Sequence, residues 1–441
     1  MDRKGAEDRV DGKRFLKAVI PSMLSQMLNA FFIIVDGFFI GGAMGDDGLA
    51  AINVAWPIVA VIMSTGMGIG TGGAVLMAIS RGKGEIEKAG RVRGNVLISM
   101  AVASVLLTIT FWVLHPILLP KMGAVGSLEI LATQYLRVVI TLATIQVFST
   151  GLIPLLRGSG KPVAAMMVMI QGLILNIVLD WLFVWVWRWG MIGAALATAT
   201  AQFSGIPLAL IFLLRNKDMP LRAKDFSISL DLIKRILVLG ASPFGLSVSV
   251  SAVILFNNLQ ALRYGGADAV AVYAILSYVF SSLHPLLSGI GEGSQPLISY
   301  CHGADDKKGL KFLRYAAFSM VIVTGVVLGL GAWIFRGYVG VLFGAGKAAQ
   351  QGAAQGMIWY SLCLPFFGIY RICSSYFCAI AQAKLANILA YIEPLFAQPL
   401  CLLILPMLFG VQGIWAATFV AYVLLAIIGS GLLYRQLKSK I

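Results

Sequence analysis

Long runs of apolar residues, separated by short polar breaks, fill most of the chain. A helix that crosses a bilayer needs about 20 apolar residues, and each of these runs reaches that length. They are predicted as helices, because lipid cannot satisfy an exposed backbone and a membrane barrel would show alternating strands of about ten residues. The twelve predicted membrane-spanning segments are 15–41, 49–79, 94–119, 130–156, 162–187, 190–214, 231–262, 269–300, 312–343, 353–381, 385–409 and 411–434.

The twelve segments form two similar sets of six. A shift of 221 residues places the motif GIGTGG at 68–73 on GIGEGS at 289–294, and shifts within one residue of this value align other glycines and Pro21 with Pro243. Such a repeat indicates a duplication, and an even number of segments per half gives the halves parallel topology. We therefore predict an all-α integral membrane protein with two six-helix bundles, 1–214 and 231–441, joined by a cytoplasmic linker at 215–230 and related by a pseudo-two-fold axis.

Composition excludes the soluble classes. Of the 441 residues, 59% are hydrophobic and 12% are charged, whereas a soluble domain averages about 45–50% and about 25%. The net charge of +15 is interpreted as topology rather than nucleic-acid binding, because basic residues mark cytoplasmic loops. Both termini are predicted to be cytoplasmic in a cell membrane, since most lysines and arginines fall in clusters at 3–17, 81–93, 157–161, 215–235, 307–314, 384 and 435–440.

No pattern typical of an enzyme is present in the sequence. There is no phosphate-binding P-loop, no HExxH zinc motif, no GxSxG nucleophile motif and no paired redox cysteine. The five cysteines lie in or beside apolar segments and are interpreted as small core residues. We therefore expect neither enzymatic activity nor a cofactor.

Four of the 19 acidic residues fall inside predicted membrane segments: Asp36, Asp180, Glu292 and Glu393. A carboxylate at the centre of a membrane helix costs about 2.5–3.5 kcal/mol on insertion scales, so such residues face the bundle interior and are functional candidates. The segments of Asp36 and Asp180 run outward, and both residues lie near the outer ends. The two carboxylates are therefore predicted to lie at a similar depth.

Polar residues accompany both aspartates on their helices. Asn176 precedes Asp180 by one turn on the same face. A stripe on the first segment ends at Asp36 and contains Ser22, Gln26 and Asn29. Paired carboxylates in a dehydrated pocket can bind a proton near neutral pH, and carboxylate and amide oxygens also suit Na⁺, while no other metal is expected. The alternative is that the aspartates only form hydrogen bonds between helices.

The other two intramembrane acids have less defined roles. Glu292, within GIGEGSQP, either lines a cleft that attracts cations or caps a broken helix. Glu393 precedes Pro394 and could pair with Arg371, as a structural ion pair or as a substrate contact.

Several motifs together resemble the multidrug and toxic compound extrusion (MATE) family. They are IPSMLSQMLNAFFIIVDGFFIGGAMGDDGLAA in the first segment, LRGSGKP after the fourth, NIVLDWLF and GMIGAALATATAQ in the fifth and sixth, and GEGSQPLISYCHGADD and SSYFCAIAQAK in the second half. The resemblance covers nearly the whole chain. It implies a V-shaped pair of six-helix bundles that exports cationic, amphipathic compounds by alternating access, driven by H⁺ or Na⁺.

The resemblance also implies roles for individual residues. Asp36, Asn176 and Asp180 match the family's cation-coupling residues, as does Thr198, and Pro21 matches a proline linked to bending of the first helix. Gln26, Asn29, Gln202 and Glu292 are further candidates for lining the cleft. The combination is more similar to the DNA-damage-inducible and staphylococcal-type branches than to the branch with its acids in the second bundle.

Two positions depart from the family pattern. Trp181 replaces the proline that usually follows the LD of NIVLD, which predicts a straighter helix, and Glu393 stands where many relatives carry arginine. We expect small-molecule cations and membrane lipids as partners, no nucleic acid, and a monomer. The alternatives are a flippase or exporter of lipid-linked or metabolite substrates, and a membrane receptor or structural protein that transports nothing.

Overall fold

The structure, a computed structural model, describes residues 11–215, 219–220, 222–343 and 345–438. Part of the predicted linker, 216–218 and 221, lies outside the described residues. The α-helices are α1 (Gly12–Gly82), α2 (Ile86–Lys121), α3 (Ser127–Thr141), α4 (Ala143–Gly158), α5 (Pro162–Asp180), α6 (Gly190–Leu214), α7 (Leu230–Gly303), α8 (Lys307–Ile334), α9 (Arg336–Leu342), α10 (Lys347–Ala379), α11 (Ala383–Ile392) and α12 (Gln398–Lys438). The π-helices Trp181–Val186 and Glu393–Ala397 follow α5 and α11, and Ala223–Phe226 forms a 3₁₀-helix.

Length and apolar composition make eight helical stretches of the described residues candidates to cross a membrane, or nine when α3 and α4, bent by 63°, count as one. Three of these stretches contain a glycine whose dihedral angles break the helix: Gly45 in α1, Gly266 in α7 and Gly410 in α12. Dividing the helices there gives twelve spans, in agreement with the predicted segments.

The backbone repeats the internal duplication. Gly45 has φ 62° and ψ −152°, and Gly266, 221 residues later, has φ 63° and ψ −155°. Gly190 and Gly410, which the sequence repeat also pairs, share a φ of 57°. Positive φ is costly for residues with a Cβ, and the Gly45 and Gly266 conformation is essentially reserved for glycine. The same helix-to-helix connections are therefore built into both halves.

The described chain forms two compact units. One contains residues 24–248 and 299–306, and its core includes Ile62, Met77, Met100 and Leu136, all fully buried. The other contains the residues up to Met23, 249–298 and those from Lys307 onward, and its core includes Leu276 and Trp415. All five cysteines are buried, as predicted.

Glycines explain why each unit includes helix ends from the other half of the sequence. An added Cβ at Gly68 or Gly72 would clash with the α7 backbone at Gly240 and Ile236, within the first unit. At the positions that the 221-residue shift pairs with these, Gly289 and Gly293, it would clash with the α1 backbone at Met23 and Val19, within the second unit. Backbones that touch this closely leave no room for a side chain, so glycine is required at these crossings.

The segment before α7 is fastened to α2 by a buried arginine. Arg93, 1% exposed, donates from Nη1 to the carbonyl of Met219 at 2.8 Å, and its Nη2 lies 3.4 Å from Oδ2 of Asp225. Asp225, 2% exposed, also accepts the backbone N–H of Arg222 at 2.9 Å. Asn95, close by on α2, donates to the carbonyl of Ser227 at 3.0 Å. These contacts fix the connecting segment on the first unit.

Replacing Arg93 with leucine is expected to destabilise the protein by about 3–5 kcal/mol, because it leaves the Asp225 carboxylate buried without its cation. Glu87 provides a matched control, since its contacts with Arg222 and Lys224 at 3.0 and 2.6 Å are exposed. Glu87→Gln should change stability much less than Arg93→Leu does, because water screens exposed ion pairs. Denaturant unfolding in detergent micelles measures both, and equal effects would contradict the importance of the buried pair.

Candidate functional site

The two predicted coupling acids, Asp36 and Asp180, lie in the same compact unit and close enough to act electrostatically on each other. Asp36 stands on α1, nine residues before the break at Gly45. Asp180 is the last residue of α5, where the helix widens into the π-helix Trp181–Val186. Asp180 is fully buried, whereas Asp36 is partly exposed. The structure therefore brings together two acids that are far apart in sequence.

Thr198 and Asn176 complete the predicted group. Thr198, on α6, donates from Oγ1 to Oδ1 of Asp36 at 3.3 Å, a long hydrogen bond. Asn176 is fully buried one turn before Asp180. Among the described residues, neither oxygen of Asp180 and neither polar atom of the Asn176 amide has a hydrogen-bond partner within 3.5 Å, although Asn176 and Asp36 are near enough to interact with the Asp180 carboxylate. Buried polar atoms are seldom left unpaired, so this cluster has spare capacity to bind a cation.

Tyr135 is a member of the site that sequence reasoning missed. It lies on α3, is 3% exposed, and is within electrostatic range of both Asp36 and Asp180. Its hydroxyl adds an oxygen to those of two carboxylates, one amide and one threonine. A tyrosine within an apolar segment usually indicates core packing, so the sequence held no signal for this role.

Trp185 was also missed, and it holds α1 against the π-helix. Its Nε1 donates to the carbonyl of Phe39 at 3.1 Å, and its ring lies 4.9 Å from the Phe39 ring. Phe39 follows Asp36 by about one helical turn. Trp181, expected to straighten this helix in place of the usual proline, instead begins the π-helix. Single π-turns in otherwise regular helices are frequent at functional sites.

The remaining predicted site residues are distributed over both compact units. Within the described residues, Thr198, Asn176 and Tyr135 interact with Asp36 or Asp180. The others are found as follows: Gln26 is partly buried, Asn29 is exposed, Gln202 has a buried Oε1 without a partner, and Glu292 and Pro21 belong to the other compact unit. The backbone keeps helical dihedral angles at Pro21, so bending there stays a prediction.

The second half has no equivalent of the acidic pair. The repeat places Asn258 opposite Asp36 and Leu400 opposite Asp180. Leu400 is 55% exposed and apolar, so it offers no ligand. The duplicated halves have therefore diverged, and the oxygen-rich cluster belongs to the first half alone.

The fold and the cluster define a class: a helical, duplicated membrane protein with a buried acidic site in its first half. The chain belongs to the MatE family, whose model matches residues 21–182 and 244–403, one stretch in each half. The Multidrug export protein MepA of Staphylococcus saprophyticus is 24% identical over 413 residues, which cover 92% of this chain and 88% of the relative.

Solved structures share the fold. A MATE crystal structure in the straight conformation has a TM-score of 0.92, and an outward-facing multidrug resistance MATE transporter of the MOP superfamily has 0.91. Each is 24% identical and covers 97% of this chain, and 96% of each is covered in turn. The predicted family and fold class are therefore confirmed, and the protein is a membrane transporter rather than an enzyme.

Asp180→Asn is expected to raise the free energy of unfolding by about 1–3 kcal/mol, because it keeps the shape of the side chain and removes a buried, unpaired charge next to Asp36. Asp46, exposed immediately after the break at Gly45, gives a control that should change by less than about 0.5 kcal/mol when replaced with asparagine. Denaturant unfolding in micelles tests both. A destabilised Asp180→Asn protein would mean that the carboxylate holds the helices together instead.

Proposed function

We propose that this transporter exports cationic, amphipathic compounds from the cell by alternating access, driven by inward flow of H⁺ or Na⁺ through the Asp36–Asp180 site. The observation that carries the proposal is the pair of neighbouring carboxylates, which act on each other and of which Asp180 is fully buried. The multidrug names of the relatives support the class of substrate. We propose that it works in the cell membrane with both termini and the basic loops cytoplasmic, because lysines and arginines are enriched in cytoplasmic loops.

A coupling ion suits the charge of the site. Two adjacent carboxylates in a poorly hydrated environment repel each other, and binding one H⁺ or Na⁺ removes most of that cost. The oxygens of Asn176, Thr198 and Tyr135 are hard ligands of the kind that Na⁺ accepts, and the same oxygens can hydrogen-bond a protonated carboxyl group. Both ions therefore fit the donor set.

The proposed cycle couples ion and drug through differential affinity. With the site open to the outside, the ion neutralises Asp36 and Asp180, and the α1 segment around Pro21 changes shape. This conformation binds the exported cation less tightly and releases it. Return to the inward-open form discharges the ion to the cytoplasm. Exchange requires that ion and drug favour different conformations, because a ligand with equal affinity for both conformations does not shift the equilibrium between them.

The moving parts are proposed to be the two six-helix bundles of the sequence prediction, 1–214 and 231–441, with 215–230 between them. Arg93 and Asn95 fasten Met219, Ser227 and Ser229 to α2. We propose a monomer, since each chain carries a complete acidic site.

The export of cations is tested with purified protein in liposomes that contain ethidium, with a pH gradient and a Na⁺ gradient imposed separately. We expect one gradient to drive transport in wild type, and Asp180→Asn to lower that rate at least about tenfold because it removes the ion-binding charge. Asp46→Asn, with its exposed carboxylate, should transport at the wild-type rate.

Each other outcome counts against part of the proposal. Folded wild type that moves no ethidium under either gradient would contradict multidrug export and favour a lipid-linked or metabolite substrate. Equal transport by wild type and Asp180→Asn would place the coupling ion elsewhere. A wild type that transports nothing, together with an Asp180→Asn variant that is less stable, would favour a non-transporting role.

A further inference from the structure

A further buried carboxylate lies in the other compact unit, outside the site described above. Glu393 is 5% exposed and begins the π-helix that follows α11. Its Oε2 lies 2.9 Å from the hydroxyl of Tyr370 on α10, and Oε1 lies 2.9 Å from the hydroxyl of Tyr422 on α12. These three residues are called the Glu393 cluster. Tyr370 and Tyr422 are 0% and 4% exposed, so both side chains are shielded from bulk water.

The hydrogen atoms available to the Glu393 cluster can be counted. The Tyr370 hydroxyl also lies 3.0 Å from the carbonyl oxygen of Leu389, so it touches two oxygens. A phenol carries one hydrogen, and a backbone carbonyl can only accept. If Tyr370 donates to Leu389, the hydrogen in the contact with Glu393 must come from Glu393 itself. The three contacts are then satisfied by three hydrogens, on Tyr370, Tyr422 and a protonated Glu393.

An ionised Glu393 fits the surroundings poorly. Three contacts would then share two hydrogens, and a negative charge would be buried among aromatic rings, with Phe367 5.1 Å from the Tyr422 ring. Arg371, the partner expected from sequence, lies with its guanidinium carbon 5.8 Å above the centre of the Phe367 ring. Tyr370 and Tyr422 provide the hydrogen bonds to Glu393 in its place.

The titratable groups around the cluster come from several helices. Arg371 on α10 acts electrostatically on Glu393 and on His284 of α7, and Cys363 of α10 acts on Tyr422. Arg371 is the one cation among these neighbours within the described residues. It makes no ion pair with Glu393 there, which leaves a proton as the simplest neutralising ligand.

Glu393 and Asp180 share one further feature. The sequence repeat pairs α5 with α11 and the start of α12, and both helices change into a π-helix at a buried acid: Asp180 immediately precedes the first π-helix, and Glu393 is the first residue of the second. The two acids are not at equivalent repeat positions, since Leu400 is opposite Asp180. Each half therefore carries one buried carboxylate at the irregular turn of the same helix.

We propose that Glu393 is a second, reversible proton-binding site, occupied in this conformation by a proton that Glu393 donates to Tyr370. The inference deepens the proposed function, and it rests on that function for its role in an ion-driven cycle. The proton passes between the Glu393 carboxyl group and water, so no oxidant or further reactant is required.

Infrared spectroscopy of the full-length protein in micelles tests the site without any transport assay. In Asp36→Asn/Asp180→Asn protein, we expect a carbonyl band of a protonated carboxylic acid that disappears as pH is raised while the protein stays folded. Adding Glu393→Gln should abolish that band. Adding Tyr370→Phe should move it, because the acid loses its hydrogen-bond acceptor. Adding Glu292→Gln, a partly buried acid of the same unit, should leave it unchanged.

Two results would overturn the proposal. Superimposable spectra with and without Glu393→Gln would mean that Glu393 is ionised, and a band that persists at every pH at which the protein is folded would mean a fixed structural proton. Gel filtration of each variant establishes folding, and the Tyr370→Phe shift remains informative if Glu393→Gln does not fold. Because ethidium transport is not used, failure here leaves the proposed function untouched, whereas failure of ethidium transport would remove the role of Glu393 in an ion-driven cycle but not its proton binding.

Discussion

The cost of placing carboxylates in an apolar environment is the constraint on which the first half of this molecule depends. Asp180 is fully buried beside Asp36, and its oxygens have no hydrogen-bond donor within 3.5 Å among the described residues. Such a pair is stable only when something positive is bound or when the helices around it rearrange. Thr198, Tyr135 and the π-helix that begins at Trp181 are arranged around this unsatisfied group. A site that needs a cation is suited to coupling ion flow to another movement.

The two halves share their backbone plan through duplication, but their acidic residues have diverged. Gly45 and Gly266 break the first helix of each half with nearly the same dihedral angles, so the backbone plan is shared. The acids are not shared, because the second half has no pair and carries Glu393 with two tyrosine hydroxyls instead. Close helix crossings tolerate little change, whereas side chains facing the interior can change without altering the backbone. Two halves with one plan can therefore take different roles in a transport cycle.

The sequence predicted the spans, the repeat and the coming together of Asp36 and Asp180, because intramembrane charges are costly and periodicity is regular. It did not predict Tyr135, since an aromatic residue in an apolar segment has the same pattern whether it packs or binds. Arg93 belongs to the basic cluster at 81–93, which predicts only which loops are cytoplasmic, although the Arg93 side chain is buried. Glu393 was matched with Arg371, but neighbouring helical positions point about 100° apart, and Tyr370 occupies the face toward Glu393. The role of each of these side chains depends on contacts between helices, which the sequence pattern does not show.

The central claim, that the acidic pair binds the ion exchanged for drug, is tested most directly by linkage in purified protein. Ethidium is added to the protein in weakly buffered micelles, and released protons or displaced ²²Na⁺ are counted. Reciprocal coupling predicts that wild type releases the ion on binding ethidium and that Asp36→Asn/Asp180→Asn binds ethidium without release. Equal release from both proteins would contradict the claim, because the ion would then be bound somewhere other than Asp36 and Asp180.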